Sequence, residues 1–414
     1  MGLRMTDTMT RHRLDGGVPV LSVTRPGHRL TAISLTLGSG ARHDPPQAAG
    51  AFHLLEHLLM SAPLRGGRSV AERIERLGGV CNAQTGPESL VLHAQILTDH
   101  APTVATMLCE ALVSPVIDDA ILDSERRVVL QEIAAASADP ADVVQDAILG
   151  ALFPRHPLGS PVAGDVASVR SVTLGQLIAA RQGALDHGPV VVSCVGGLPA
   201  DELHAALDAG GLTGCRPGAP VVRAAGGRPA PLRCAPEPAW PPTFAWMIAG
   251  ARAPAAHDPD RFASILLGHL LGSSPCSLLY RRLRGEQGLA YAFRAWSRSY
   301  SDCGAWRFMA GVDVGNGPRL LDTVRQTLAE VAQQGPDSES HRAAVQQAST
   351  QVLMEAESSI DRSLSSGIHY TLTGQMWDPA EDISHLRRVT AEEVAAAAAS
   401  VLDSLVVVTR SGGA

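Results

Sequence analysis

The 414-residue sequence contains no lysine, few aromatic residues and no extended apolar segment. All 34 of its basic residues are therefore arginine, and they form no basic block of the kind that binds nucleic acid. No stretch approaches the ~18 apolar residues of a membrane span, and the first residues lack the apolar core of a signal peptide. These absences predict a globular protein with no nucleic-acid partner and no membrane partner.

The seven cysteines are widely separated, their number is odd, and no Cys-x-x-Cys pair occurs. These features argue against a disulfide framework and favour a reducing compartment, so we expect a cytoplasmic location. The length suffices for two or three domains with a sizeable core.

Three segments recur in the same order further along the chain, at offsets of 212 to 217 residues. The first pair, LLEHLLMSAP and LLGHLLGSSP, agrees at seven of ten positions. The matching pairs are 54–63 with 266–275, 168–173 with 385–390, and 190–197 with 406–413. The sequence therefore predicts a tandem duplication of one module.

Both copies carry the same kinds of element, namely early apolar strands, strands of alternating polarity and then longer amphipathic helices. This order predicts an α+β fold, in which each module is a mostly antiparallel sheet with helices on one face. We expect the modules at residues 1–213 and 234–414. A segment rich in Gly, Pro and Arg, residues 214–233, is the predicted linker.

Three ionisable side chains, His53, Glu56 and His57, interrupt the otherwise apolar segment GAFHLLEHLLMSAP. Burying such groups without partners in a core helix would be costly. Residues four apart share one helix face, so both imidazoles can reach a single zinc ion. Glu56 would lie beside the metal, where a carboxylate can take a proton from a bound water. A catalytic zinc usually has three protein ligands, so the third must come from elsewhere.

A pair of carboxylates, Glu125 and Glu132, occurs in the segment DSERRVVLQEIAAA. They are two helical turns apart, with Val128 and Val129 between them on the same predicted side. One carboxylate would bind the metal. The other would lie behind the ligands and would orient them or tune the metal centre. For this pair alone, a solvated helix face is the simpler interpretation.

The duplication favours the metal site. The second copy has Ile265 and Gly268 at the positions of His53 and Glu56, although it keeps the apolar helix. The scaffold therefore does not require these side chains. One copy carries the metal, and the histidine left in the other, His269, is interpreted as a packed core residue.

The order His-x-x-Glu-His reverses the usual zincin motif and is that of the inverzincins. With the motif and the paired glutamates, the chain resembles the pitrilysin/insulinase-type zinc peptidases, particularly the half-length bacterial relatives of mitochondrial processing peptidase. The family's second signature is a Glu-x6-Glu helix, and here Glu132 lies 75 residues after His57. Three further segments resemble family elements: GGVCNAQTGPES (78–89), HPLGSPVAG (156–164) and RGEQGLAY (284–291).

The resemblance implies a role for each residue of the predicted metal centre. His53, His57 and Glu132 would bind Zn²⁺, Glu56 would be the general base, and Glu125 would be the supporting carboxylate.

The resemblance also implies substrate contacts outside the metal centre. The strand at Asn82 and Ala83 would pair with the peptide through main-chain hydrogen bonds. From the second module, Arg284 would hold a carbonyl or carboxylate, and the Tyr291 hydroxyl would donate to a developing oxyanion.

The predicted function is that of a zinc-dependent endopeptidase that hydrolyses unfolded peptides or leader segments. A half-length chain implies a dimeric chamber, formed with a second copy or with a related chain. Two alternatives stay open. One is a non-catalytic subunit that binds peptides or a partner chain, and the other is a subunit active only as part of an obligate heterodimer.

Overall fold

The computed structural model describes residues 7–45, 47–64, 67–219 and 238–411. The greater part of the predicted linker, residues 220–233, lies outside these ranges. The chain forms two compact units, each built around its own sheet.

The first half contains six strands and eight α-helices among its described residues. They are β1 (Thr8–Arg13), β2 (Pro19–Thr24), β3 (Leu30–Leu37), α1 (Ala51–Ser61), α2 (Val70–Arg76), β4 (Val80–Thr85), β5 (Leu90–Leu97), α3 (Ala101–Val113), α4 (Asp119–Ala138), α5 (Pro140–Leu152), α6 (Val166–Ser171), α7 (Leu174–His187), β6 (Val190–Gly196) and α8 (Ala200–Ala209).

The second half repeats the order that begins at β3. Its elements are β7 (Ala245–Ala253), α9 (Arg261–Leu270), β8 (Phe293–Ser299), β9 (Gly304–Val312), α10 (Gly317–Gln334), α11 (Ser338–Glu357), α12 (Ser359–Thr373), α13 (Pro379–Arg388), α14 (Ala391–Asp403) and β10 (Val406–Ser411). A π-helical turn, Tyr280–Glu286, takes the place of α2. Both halves thus run from a strand through a helical segment to two strands, five helices and a final strand.

Antiparallel pairing dominates both sheets. The first sheet has the order β1-β2-β6-β3-β5-β4, and only its β2–β6 pair is parallel. The second sheet has the order β10-β7-β9-β8 and is antiparallel throughout. The predicted α+β class is confirmed. The strands that follow the first helical segment of each half, β4 and β8, lie at sheet edges.

Helix α1 is buried on two sides, which fixes where its polar residues lie. Phe52 and Leu55 pack into the core beneath the first sheet. Leu54 and Leu58 join a separate cluster that includes Val129 of α4. Because α4 is held against α1 by this cluster, the carboxylates on the same face of α4 are brought over the polar stripe of α1.

Each compact unit follows one half of the chain except for one exchanged segment. Ala134–Ser160, which contains α5, groups with the second unit, and Glu355–Trp377, which contains α12, groups with the first. Helix α12 packs on the sheet face that carries Ser34, whose hydroxyl donates to the Ser363 carbonyl at 2.9 Å. The exchange was not anticipated by the contiguous boundaries expected from the sequence.

The six cysteines within the described ranges are all free thiols. No helix in this part of the chain combines the length and apolar character needed to cross a bilayer.

Candidate metal centre

The first turn of α1 has an unusual start. Gly50 precedes the helix with a left-handed backbone (φ 86°), and a Cβ there would lie 2.5 Å from the Ala163 carbonyl oxygen. Glycine is therefore required at this position. In place of an N-cap side chain, the Asp44 carboxylate accepts hydrogen bonds from the backbone N–H of Gly50 at 2.7 Å and of Phe52 at 2.9 Å.

Three potential metal ligands converge between α1 and α4. The Nε2 atoms of His53 and His57 each lie 3.3 Å from Oε2 of Glu132. One ligand atom from each residue lies within 4.8 Å of the other two. The two imidazole rings stand edge to face, with centroids 4.9 Å apart. Both rings therefore present a nitrogen to the same point.

The spacing of these atoms fits a zinc ion. Two ligand atoms, each about 2 Å from a tetrahedral zinc, lie about 3.3 Å apart, which is the separation observed between each imidazole nitrogen and the Glu132 oxygen. Two imidazoles and one carboxylate also form a donor set that zinc favours. The residues present therefore fit the group that the motif implies.

Two further carboxylates face the histidines from the sides away from Glu132. Oε2 of Glu125 lies 3.4 Å from Nδ1 of His57, and Oε2 of Glu56 lies 3.6 Å from Nδ1 of His53. A carboxylate on the second ring nitrogen fixes the tautomer and orientation of a metal-binding histidine. Glu125 is thus placed to orient His57. Of the two valines expected between the glutamates, Val129 is buried and Val128 is partly exposed.

The carboxylates also change the proton affinity of the centre. Burial disfavours the protonated form of His53, but Glu56 and Glu132 outweigh burial and raise the pKa of this imidazole. Burial likewise disfavours ionised Glu56, yet hydrogen bonds to His53 and Thr85 and the nearby histidine charges lower its pKa. The centre therefore stabilises positive charge beside ionised carboxylates, which is the electrostatic requirement for binding a cation.

The strand expected to receive a peptide, β4, occupies the edge of the first sheet next to α1. Asn82 is exposed, whereas Ala83 is buried, and Oδ1 of Asn82 accepts a hydrogen bond from the Ala83 N–H at 2.9 Å. An edge strand has one unpaired side, which can pair with an added chain.

Arg284 and Tyr291 lie together in the second unit. The Arg284 guanidinium lies 4.7 Å from the Tyr291 ring centroid and 5.3 Å from that of Tyr280. Tyr291 is 82% exposed, so its hydroxyl is accessible from solvent.

The sequence patterns did not identify Asp44, Arg42 or Glu88 as parts of the centre. Arg42 and Glu88 form a buried ion pair beside the loop that carries Asp44. Asp44 lies seven residues before the helix it caps, beyond the reach of ordinary capping patterns. The only local signal was Gly50, which marks a sharp chain reversal directly before the motif.

A duplicated α+β chain with an inverted His-x-x-Glu-His helix and a Glu-x6-Glu helix defines the architectural class of inverzincin-type peptidases. Family models agree with this assignment. Residues 19–166 match the model described as insulinase (peptidase family M16), and residues 216–348 match the model described as the peptidase M16 inactive domain.

Curated relatives extend the match along most of the chain. An uncharacterised zinc protease of Streptomyces coelicolor is 28% identical over 95% of this chain and 87% of its own length. An uncharacterised zinc protease of Mycobacterium leprae is 30% identical over 78% of this chain and 74% of its own length. The chain belongs to the M16, or insulinase, peptidase family.

Solved structures share the fold at low sequence identity. A protein from Pseudomonas fluorescens, described as a peptidase M16 inactive domain, superposes with a TM-score of 0.85 at 19% identity, covering 98% of this chain and 99% of its own. A protease from Helicobacter pylori superposes with a TM-score of 0.86 at 16% identity, covering 97% and 99%.

Proposed function

We propose that this chain is a zinc-dependent endopeptidase. The observation that carries the proposal is the convergence of the His53 and His57 Nε2 atoms on Oε2 of Glu132, at a spacing that suits one tetrahedral zinc. These three residues would hold the metal. The curated relatives described as zinc proteases support this assignment.

When bound, zinc would lower the pKa of a water molecule and polarise the carbonyl of the scissile bond. Glu56 would act as the general base, because it is the carboxylate of the motif helix and its Oε2 lies 3.6 Å from Nδ1 of His53. The proton taken up by Glu56 would then pass to the leaving amine. Glu125 would hold His57 in the tautomer whose Nε2 lone pair faces the metal position.

The peptide would be held as an extra strand along β4, at Asn82 and Ala83. Main-chain pairing recognises an extended backbone and little of the side-chain sequence, so unfolded peptides and leader segments are the proposed substrate class. Arg284 and Tyr291 would contact the substrate from the second unit, where the guanidinium is already stacked on the exposed ring. Their contribution would be to orient the peptide carbonyls.

The decisive experiment separates metal binding from hydrolysis. Glu56→Gln should retain zinc but lose peptide cleavage, because the ligands remain and the base is gone, whereas His57→Ala should lose both. Glu75→Gln, an exposed carboxylate on α2, is the matched control and should keep both. Mass spectrometry of cleavage products from a peptide library, with and without a chelator, would also report the substrate preference. Undiminished turnover by Glu56→Gln would refute the mechanism.

We also propose that the active form is a dimer with a second copy or a related chain, since M16 enzymes often act as dimers or heterodimers. In such an assembly, Arg284 and Tyr291 of one chain would serve the metal centre of its neighbour. Mixed dimers of Glu56→Gln and Arg284→Ala should then regain up to about half of the wild-type sites by symmetry. No recovery, with subunit exchange verified by native mass spectrometry, would exclude the shared site.

The competing function is a non-catalytic or obligate-heterodimer subunit. The match of the second half to a family model described as inactive fits either function, because that half lacks the metal ligands. Purified wild-type chain that binds zinc but cleaves no library peptide would favour the competing function.

A further inference from the structure

The backbone of Phe52, the residue directly before His53, is held at both its N–H and its carbonyl by side chains from outside the helix. Its N–H donates to the Asp44 carboxylate at 2.9 Å, and its carbonyl accepts from the Thr85 hydroxyl at 3.3 Å. Two side chains distant in sequence therefore fix the turn that carries the first histidine and the glutamate of the motif.

The first turn of α1 depends on these contacts because it has no cap of its own. The first N–H groups of a helix lack intrahelical acceptors, and an N-cap side chain usually supplies one. Gly50 has no side chain to do so. Asp44 supplies both of its carboxylate oxygens instead, one to Gly50 and one to Phe52.

The loop that carries Asp44 is itself attached to the turn that ends β4. The N–H of Ala41 donates to the Gly86 carbonyl at 3.1 Å, and that of Arg42 donates to the Pro87 carbonyl at 2.9 Å. The Arg42 side chain pairs with Glu88, with both charges buried. The last residue of β4, Thr85, lies directly before this turn. The edge strand and the helix start are thus joined both through Thr85 and through Asp44.

We infer that Asp44 and Thr85 are positioning residues that set the geometry of the metal centre from the edge strand. This inference rests on the proposed zinc chemistry. Asp44 places His53 by fixing the backbone just before it. Thr85 supports the same turn at the Phe52 carbonyl, four residues before Glu56. Outer partners of this kind typically change metal affinity or activity by about 10- to 100-fold when removed.

Zinc affinity measured by competition with a chromophoric chelator tests the role of Asp44. Asp44→Asn should raise the zinc dissociation constant by about tenfold, because the amide has a single acceptor oxygen and one of the two N–H groups loses its partner. The absorption spectrum of the cobalt-loaded protein should also change, since His53 is displaced. Asp378→Asn is the matched control, because Asp378 caps α13, a helix without a candidate ligand, through one backbone N–H. It should leave zinc affinity and the spectrum unchanged.

Steady-state kinetics test Thr85. Thr85→Val keeps the shape and removes the hydroxyl, so kcat should fall by about tenfold with little change in KM. Thr85→Ser should restore most of the rate, because it returns the hydroxyl.

The outcomes separate this inference from the proposed function. A wild-type chain that binds no zinc would defeat the proposed function itself. If the wild type binds zinc and folded Asp44→Asn binds it within a factor of two as tightly, with an unaltered cobalt spectrum, Asp44 is only a helix cap and the inference fails. Equal kcat for Thr85→Val and the wild type would remove Thr85 from it.

Discussion

Asp44 should make the metal-free protein less stable as the pH rises through the weakly acidic range. Burial is the largest influence on this carboxyl, and it raises the pKa from 3.8 to about 6 although three backbone N–H groups and the charge of His53 favour the ionised form. Between these values the folded state binds more protons than the unfolded state. The stabilisation from protonated Asp44 is therefore complete below about pH 4 and is lost as the pH approaches 6.

The size of the effect follows from the two pKa values. A shift of this size corresponds to about 3 kcal/mol of unfolding free energy. Urea unfolding of chelator-treated protein should be measured for the wild type and Asp44→Asn at several pH values, because the variant cannot titrate at this position. Relative to Asp44→Asn, the wild type should lose about 3 kcal/mol of unfolding free energy as the pH rises from about 4 to about 7. A difference that stays constant across this range would refute the assignment of a raised pKa to Asp44.

Glu125→Gln should weaken zinc binding by about 10- to 100-fold, because the orienting carboxylate on its partner imidazole is lost, and a chelator competition titration would measure it. Affinity equal to that of the wild type would show that the contact of Glu125 with that ring is incidental. Arg42→Met should lower the unfolding free energy by about 3–5 kcal/mol, since Glu88 would remain buried without its charge partner. The double change Arg42→Met and Glu88→Met should recover much of that loss in urea unfolding, and a double variant no more stable than Arg42→Met would contradict this explanation.

The secondary structure and duplication were readable because local patterns encode them. The segment DSERRVVLQEIAAA, which was expected to place two glutamates on one helix face, lies within helix α4. The repeated segments fall on equivalent elements, such as β6 and β10, which close the two halves. The periodic apolar residues and the repeated segments predict the structure correctly because each module buries the same faces of its elements.

The exchange of α5 and α12 between the units could not be predicted in the same way. Helix α5 approaches β7 so closely that a Cβ on Gly250 would lie 2.8 Å from the Ile148 side chain. Such a contact joins residues about a hundred positions apart and depends on matching surfaces, not on any local pattern. The placement of Asp44 is a similar case, because Asp44 can cap the helix only when the loop between it and Gly50 has folded.

The site residues show the same difference between what local sequence patterns predict and what tertiary packing decides. The spacing of His53, His57 and the two glutamates is a property of helices, so the sequence alone placed them on shared faces. Which carboxylate lies nearer the metal position depends on how α4 packs on α1. The resemblance to the family supplied that choice, and the structure places Glu132 beside both Nε2 atoms.

Both the sequence and the packing of the second module prevent it from forming a metal centre like that of the first. At Gly268, the counterpart of Glu56, a Cβ would lie 3.2 Å from the Cα of Trp296 in the edge strand β8. The offsets of 212 to 217 residues that relate the two copies place the counterpart of Glu132 among residues 344–349, within α11. These six residues, AVQQAS, include no carboxylate.

Restoring the motif in the second module should therefore fail to restore a metal site. The variant Ile265→His with Gly268→Glu recreates the His-x-x-Glu-His order, and adding His57→Ala removes the first centre. This triple variant should hold no zinc by elemental analysis, because α11 has no carboxylate at the counterpart of Glu132 and the glutamate side chain displaces β8. It should also unfold at lower urea concentration than His57→Ala alone, since overpacking typically costs about 1–3 kcal/mol. Stoichiometric zinc in the triple variant would show that the motif, without its α4 partner and without space beside the edge strand, is sufficient to build the site.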